Sequence, residues 1–383
     1  MMRIAISTLT TTGQALGVGR YIASLIDALQ AIDQTNDYLI YTSNDNHRLF
    51  DLHQENFKEI RTGFTHSPRL IMRPAYFAWQ NSWFLAALRR QRVDVLHLPN
   101  LLPLFINALP TVVTIHDLGE FKVANKYGAV RLWYRQQVMP ITVRHARRVV
   151  AVSQNTKRDL VDILHVPADK IDVTYEGASD RLALTAEEAG DCLNRIDRYV
   201  DGPYLFYTGA MHPHKNLERL IRGFHRARQT HPFPHKLVLG GKPIGQFERL
   251  QAVVQELGLN DVVLFPGFVP DEDLACLYHQ ATAVAYIPLN EGFGLPVLEA
   301  MAAGAPVLAA NSSSIPEVAG DAALLVDPLD EAAIATGIQR ILTDSTLRDT
   351  LRQRGFARVK LFSWRQCAEL TLESYRRANE DGK

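Results

Sequence analysis

The sequence predicts an α/β protein of two doubly wound domains, and three observations carry that prediction. Short β-branched runs alternate with helical stretches along almost the whole chain, the alternation restarts after Gly202, and 383 residues with 47% hydrophobic content exceed one ordinary core. In the first half the strand candidates are Arg3–Thr8, Tyr38–Thr42, Val93–Leu98, Thr111–Ile115, Arg148–Val152 and Ile171–Tyr175. In the second they are Tyr204–Thr208, Lys236–Leu239, Val262–Phe265, Ala283–Ile287, Ala305–Ala309 and Ala322–Val326. These runs are apolar without strict alternation, as parallel strands covered on both faces should be. Between them Ile22, Leu25, Leu29 and Ile32 follow helical spacing, as do Leu217, Leu220, Ile221 and Phe224.

The expected division is residues 1–178, a linker over 179–202 and a second domain over 203–362. The linker carries the acidic cluster Glu187, Glu188 and Asp191 and ends in the turn signal Asp201-Gly202-Pro203. A last helix starts near Ser363, which stands at capping-box spacing from Gln366, and runs to about Arg377. Two such domains facing each other place a cleft at the carboxyl ends of both sets of strands, where open α/β sheets bind their ligands.

Composition removes several function classes. Forty-one basic and forty-one acidic residues cancel, which speaks against a dedicated nucleic-acid binder. The balance is uneven: Lys58 to Arg158 holds sixteen basic and four acidic residues, a local +12 that implies a face meeting an anionic surface or substrate. Cys192, Cys276 and Cys367 are too far apart for a metal site, and their odd number argues against a disulfide framework, so a reducing, cytoplasmic setting is expected. The start reads as a strand rather than a signal peptide. The most apolar segment, Leu101 to Ile115, is cut by Pro103, Asn107 and Pro110 and does not read as a membrane span.

Chemistry concentrates just after strands. Glu291-Gly292-Phe293-Gly294-Leu295-Pro296-Val297-Leu298-Glu299 combines glycines for unusual backbone angles, a proline suited to the first helical position, and amides of a helix N-terminus that suit a phosphate. Two glutamates bracket the loop, the second expected in the first turn of the helix, and a carboxylate can hold two vicinal hydroxyls. Gly209-Ala210-Met211-His212-Pro213-His214-Lys215-Asn216 follows another strand: Lys215 stands where a cation reaches a diphosphate, and Asn216 can cap the next helix. His212 and His214 are too isolated for a metal and read as loop residues near phosphate. His116-Asp117 ends the strand Thr111–Ile115, while His97 reads as structural. Asp271-Glu272-Asp273 reads as helix capping rather than a metal-binding triplet.

The string Glu291 to Glu299 matches the Glu-x7-Glu motif of the retaining glycosyltransferases of family 4. The loop from Gly209 through His214-Lys215-Asn216, the run Ser153 to Leu160 and Phe362-Ser363-Trp364 also resemble that family, and specifically its bacterial mannosyltransferases of envelope polysaccharide synthesis. The resemblance implies the GT-B fold, two facing Rossmann-like domains with a cleft between them, with helix 363–380 packing back onto the N-terminal domain. It implies that Lys215 binds the donor diphosphate, that Glu291 and Gly292 to Leu295 hold donor sugar and phosphate, and that Glu299 holds the ribose. It further implies that His116 contacts the donor sugar and that Gly267-Phe268-Val269 is the base-binding turn. The segment Thr10 to Arg20, with Gly13, Gly17 and Gly19, resembles the family's glycine loop.

The function implied is a metal-independent transfer of a hexose, with no cofactor beyond the nucleotide-sugar co-substrate. Mannose from GDP-mannose is favoured over a UDP-hexose, and the acceptor expected is a glycan or lipid-linked glycan. One departure stands out: many relatives carry arginine where this chain has Ala210, so His214 or the helix amides must supply that charge. Basic residues interleaved with aromatic ones (Arg89, Arg90 and Arg92; Tyr76, Phe77, Trp79, Trp83 and Trp133) suit peripheral docking on an anionic membrane surface. The competing readings are a catalytically silent nucleotide-sugar-binding partner and a nucleotide-sugar epimerase. A Rossmann dehydrogenase fits poorly, since neither half carries a Gly-x-Gly-x-x-Gly fingerprint.

Overall fold

The computed structural model describes residues 1–9, 11, 17–65, 80–101, 109–123, 129–178, 182 and 184–380. Within them the chain divides into two compact units, one formed mainly by residues 1–177 with 363–380 and the other by 178–362. Gly13, Tyr76, Phe77 and Trp79 lie outside the described residues.

The first unit is built on a seven-stranded sheet of β1 (Arg3–Ser7), β2 (Asp37–Thr42), β3 (Phe57–Arg61), β4 (Val95–Leu98), β5 (Thr111–Ile115), β6 (Arg148–Ala151) and β7 (Ile171–Val173). Its strand order is β3-β2-β1-β4-β5-β6-β7, and every pairing is parallel. Strands β4 and β5 are buried at every position, which matches their unbroken apolar runs. Strand β3 escapes the sequence reading because Phe-Lys-Glu-Ile-Arg, an edge strand with one buried residue, has no apolar run to detect. The helix Gly17–Ile32 buries Tyr21, Ile22, Leu25, Ile26 and Leu29 along one face, and the last helix, Trp364–Glu380, packs against it.

The second unit repeats the plan with β8 (Tyr204–Thr208), β9 (Lys236–Gly240), β10 (Val263–Gly267), β11 (Ala283–Tyr286), β12 (Val307–Ala310) and β13 (Ala323–Val326). Their order is β10-β9-β8-β11-β12-β13, again all parallel. In both sheets the order reverses beside the first strand, at β1/β4 and at β8/β11. Loops that leave adjacent strands there part to opposite faces and open a crevice.

Two expectations are corrected. The stretch 179–202 is not a plain linker: it contains the helix Ala186–Ile196, opened by a reciprocal capping box between Thr185 and Glu188. That helix packs on Asp271–Gln280, and a disulfide joins Cys192 to Cys276 between them, a correction to the argument against disulfide bonding drawn from the odd number of cysteines. Sequence spacing concealed the bond because folding brings together residues 84 positions apart. Cys367 is a free, buried thiol that burial pushes up to about 12. No helix among the described residues is long and apolar enough to cross a membrane.

Candidate functional site

The reversal between β8 and β11 places two charged side chains together. After β8 the chain makes a short 3-10 turn, Pro213–Lys215, and after β11 it enters the loop that leads to the helix Leu295–Ala302. Lys215 Nζ lies 2.5 Å from Glu291 Oε2. Both side chains are largely buried, so the pair is only weakly screened. Burial alone would raise the Glu291 carboxyl, but the Lys215 ammonium and the Tyr286 hydroxyl outweigh it and hold Glu291 below the ordinary carboxylate range.

Serines that the sequence reading missed hold the glutamate loop in place. The Glu291 amide donates to Ser313 Oγ at 3.0 Å, and Ser314 Oγ donates to the carbonyls of Glu291 and Phe293 at 3.0 and 2.8 Å. The signal was the polar run Asn311-Ser312-Ser313-Ser314 directly after β12. Gly294 occupies the N-cap position with φ of 114°, where a Cβ would also sit 2.7 Å from Ile315 Cδ1. Gly292, by contrast, has no positive φ, so only one of the two glycines is needed for its backbone angle. Pro296 is the second helical residue, and Glu299 lies in the second turn rather than the first. There Glu299 is buried and accepts from Tyr278 Oη at 3.1 Å.

The loops after β8, β9 and β10 are knitted by backbone bonds. Gly209 N donates to Gly240 O at 3.0 Å and Gly241 N to Gly267 O at 2.7 Å. A Cβ on Gly241 would stand 2.0 Å from Gly209 O, so only glycine permits this approach. Asn216 sits at the N-cap position of the helix Leu217–Thr230 without bonding its amides: its Oδ1 accepts from Arg219 Nη1 at 3.0 Å and its Nδ2 donates to Pro328 O at 2.7 Å. His214 is buried and stacks on His212 at 5.6 Å between ring centroids. Phe268 is 52% exposed, with Lys242 Nζ 5.7 Å above its ring, and Val269 is buried beside it. The helix Asp271–Gln280 has Pro270 rather than an acidic residue at its N-cap position, and Asp273 binds Arg198 and the Tyr199 hydroxyl, the latter at 2.7 Å.

The first unit carries a separate group of candidates. His116, at the end of β5, places Nε2 3.0 Å from Pro99 O, so that nitrogen bears the proton, and its Nδ1 is 3.5 Å from the buried Glu176 carboxylate. The ring meets Tyr21 edge-on at 4.8 Å. A cavity of about 140 Å³ opens here, lined by Val18, Asn100, Thr114, His116, Asp117 and Arg135 among others. Arg135 pairs with Glu120, whose side chain is fully buried. Gly17 and Gly19 are in the first turn of their helix rather than in a loop. The structure thus brings Lys215, Glu291 and the Phe293–Leu295 helix start into one unit and keeps His116, Gly17 and Gly19 in the other. Among the described residues no group of three or more His, Cys, Asp or Glu side chains is arranged to hold a metal ion.

Comparison with known proteins places both halves. The family model described as Glycosyltransferase Family 4 matches residues 16–181, and that described as Glycosyl transferases group 1 matches residues 194–358. O-antigen chain mannosyltransferase B of Escherichia coli is 28% identical over 308 residues, 80% of this chain and 78% of that protein. Three further relatives, serotype-specific mannosyltransferases of Escherichia coli at 27–28% identity, are matched over about a third of their length. Sucrose-phosphate synthase from Thermosynechococcus elongatus superposes with a TM-score of 0.77 at 23% identity, covering 98% of this chain and 99% of that one. HepE from Anabaena, solved with UDP-glucose, gives 0.75 at 17% identity over 98% and 100%. These likenesses show a shared fold of two parallel-sheet, Rossmann-like domains.

Proposed function

The chain belongs to the family 4 glycosyltransferases, of GT-B fold, and on that premise we propose that it moves mannose from GDP-mannose to a glycan or lipid-linked glycan acceptor, with retention and without a divalent cation. The observation that carries the reading is the meeting of Lys215 and Glu291 at the β8/β11 reversal, beside a helix N-terminus at Leu295. Support for mannose comes from the similarity to the O-antigen chain mannosyltransferase of Escherichia coli. Support for a nucleotide-sugar comes from HepE, whose structure holds UDP-glucose, and a UDP-hexose is the second donor to try.

The proposed chemistry follows from the parts. Transfer breaks the bond from the anomeric carbon to the diphosphate oxygen, and negative charge grows on the leaving phosphate. Lys215 and the amides at the start of Leu295–Ala302 stabilise that charge, because a preorganised cation and aligned dipoles act strongly where water is scarce. Glu291 accepts hydrogen bonds from the donor sugar, Glu299 from the ribose, and the Gly267–Val269 turn meets the base. We assign His116 contact with the donor sugar on the family resemblance alone. His214 or the helix amides stand in for the arginine that Ala210 replaces.

Thermal unfolding against nucleotides and nucleotide-sugars, with EDTA present, tests the donor half of this reading. A ligand at a hundred times its dissociation constant adds about 2.7 kcal/mol, a visible shift. A shift with guanine nucleotides, followed by mannose transfer to an acceptor mixture, supports the proposal. A shift without turnover favours a silent nucleotide-sugar-binding partner, and no shift with any nucleotide refutes donor binding at this site.

A further inference from the structure

Tyr286, the last residue of β11, has no part in the roles above, yet its hydroxyl stands between the two charged groups. It lies 2.8 Å from Lys215 Nζ and 2.7 Å from Glu291 Oε2. An ammonium only donates and a carboxylate only accepts, so the direction of both bonds is fixed. Lys215 donates to the phenol oxygen, and the phenol donates to Glu291. The ring cannot swing away: it is buried, and it stacks on Tyr207 with centroids 6.0 Å apart and planes 12° from parallel.

We propose that Tyr286 is a positioning residue that keeps Glu291 partnered and aimed when the β-phosphate of a nucleoside diphosphate draws Lys215 away. The inference rests on the donor-site reading and adds a requirement to it. In the structure the Lys215 charge is matched by Glu291 at 2.5 Å. A diphosphate claims the same ammonium and brings negative charge towards the carboxylate. In a nucleoside diphosphate complex, where no sugar hydroxyl reaches it, Glu291 without a second donor would become a largely buried, unpaired charge, which is far costlier than the loss of one ordinary hydrogen bond. The phenol supplies that donor from a fixed position and, being neutral, does not compete for phosphate. Burial and the adjoining Glu291 carboxylate push the Tyr286 phenol well above its ordinary range, so it keeps its proton throughout.

Isothermal titration calorimetry with GDP, UDP, GMP and UMP on wild type, Tyr286→Phe, Glu291→Gln and the double variant tests this. The monophosphates lack the group that claims Lys215. Tyr286→Phe should weaken the preferred nucleoside diphosphate about tenfold and leave its monophosphate within about twofold, which also shows that the variant is folded. In the Glu291→Gln background, where no carboxylate can be stranded, the Tyr286→Phe loss should shrink to within about twofold. Equal losses for di- and monophosphate, or an undiminished loss in the Glu291→Gln background, overturn the role of Tyr286 while leaving the donor site standing. A wild-type protein that binds none of the four nucleotides overturns both readings.

Discussion

The Tyr375 hydroxyl lies 2.7 Å from His97 Nδ1, tying the last helix of the chain to β4 across 278 residues of sequence. The other ring nitrogen, Nε2, is 2.9 Å from Thr114 Oγ1, and the Tyr21 hydroxyl reaches the same threonine at 3.2 Å. His97 is therefore satisfied on both sides as a neutral imidazole. Burial, aided by the nearby His116, pulls it down to about 3. An unfolded histidine takes up its proton near pH 6.5, so the stability that neutral His97 contributes is fully present above that pH. It is lost as pH falls from about 6.5 towards 3, at up to about 1.4 kcal/mol per pH unit. Urea denaturation should show that slope in wild type and a shallower one in His97→Gln. Tyr375→Phe should cost about 1–2 kcal/mol at neutral pH. Equal slopes for wild type and His97→Gln would remove His97 from the account.

The donor grip predicts two activity losses. On the proposed reading, Lys215→Ala removes the cation assigned to the leaving phosphate, and Glu291→Ala removes that cation's ion-pair partner together with the acceptor assigned to the sugar hydroxyls. Each should lower kcat/KM at least about a hundredfold, roughly 2.7 kcal/mol of transition-state stabilisation. Initial rates with the nucleotide-sugar picked out by the melting panel measure this directly. Near-full activity in either variant would refute the role of that residue.

Cys192 and Cys276 close a long loop within the second unit, and both are fully buried. Bridging 84 residues limits the unfolded chain, and native disulfides typically contribute about 2–4 kcal/mol. Cys192→Ala/Cys276→Ala should therefore unfold at a lower denaturant concentration in non-reducing buffer, and a thiol reductant that reaches the bond should bring wild type to the same midpoint. A double variant as stable as wild type would show that packing of Ala186–Ile196 on Asp271–Gln280 is sufficient without the bond.

The fold was readable because its parallel strands are buried on both faces and so appear as apolar runs; twelve strand candidates lie on twelve strands of the structure. The exception, β3, is an edge strand with a polar sequence. At the candidate site, the loops that bring Lys215 and Glu291 together were readable because strand-to-helix loops carry recognisable glycines and a helix start. Tyr286 and Tyr278 were not. A tyrosine inside an apolar strand or helix gives the same signal as a core aromatic, and only the fold shows where its hydroxyl points. The same limit explains Asn216, whose sequence position suits a cap while its side chain bonds Pro328. The disulfide was hidden for a related reason, since pairing between distant cysteines is a tertiary fact.

The surface of the first unit supports one more prediction. Trp83 is 73% and Trp133 64% exposed, Tyr134 is also exposed, and Arg89, Arg90 and Arg92 are exposed close to Trp83 in the chain. Large aromatic rings favour the boundary between headgroups and acyl chains, and each arginine near an anionic surface adds about 1 kcal/mol of attraction. Binding to vesicles should thus require acidic lipid and weaken with salt, because surface charges are screened within about 10 Å at 0.1 M ionic strength. Arg89→Glu/Arg90→Glu/Arg92→Glu reverses three charges and should lower co-sedimentation with phosphatidylglycerol-containing vesicles more than tenfold. Trp83→Ala should weaken binding with little change in its salt dependence, since it removes an apolar contact and no charge. Equal partitioning of wild type and the triple variant would show that this basic stretch is a solvated face and that the acceptor reaches the enzyme without membrane docking.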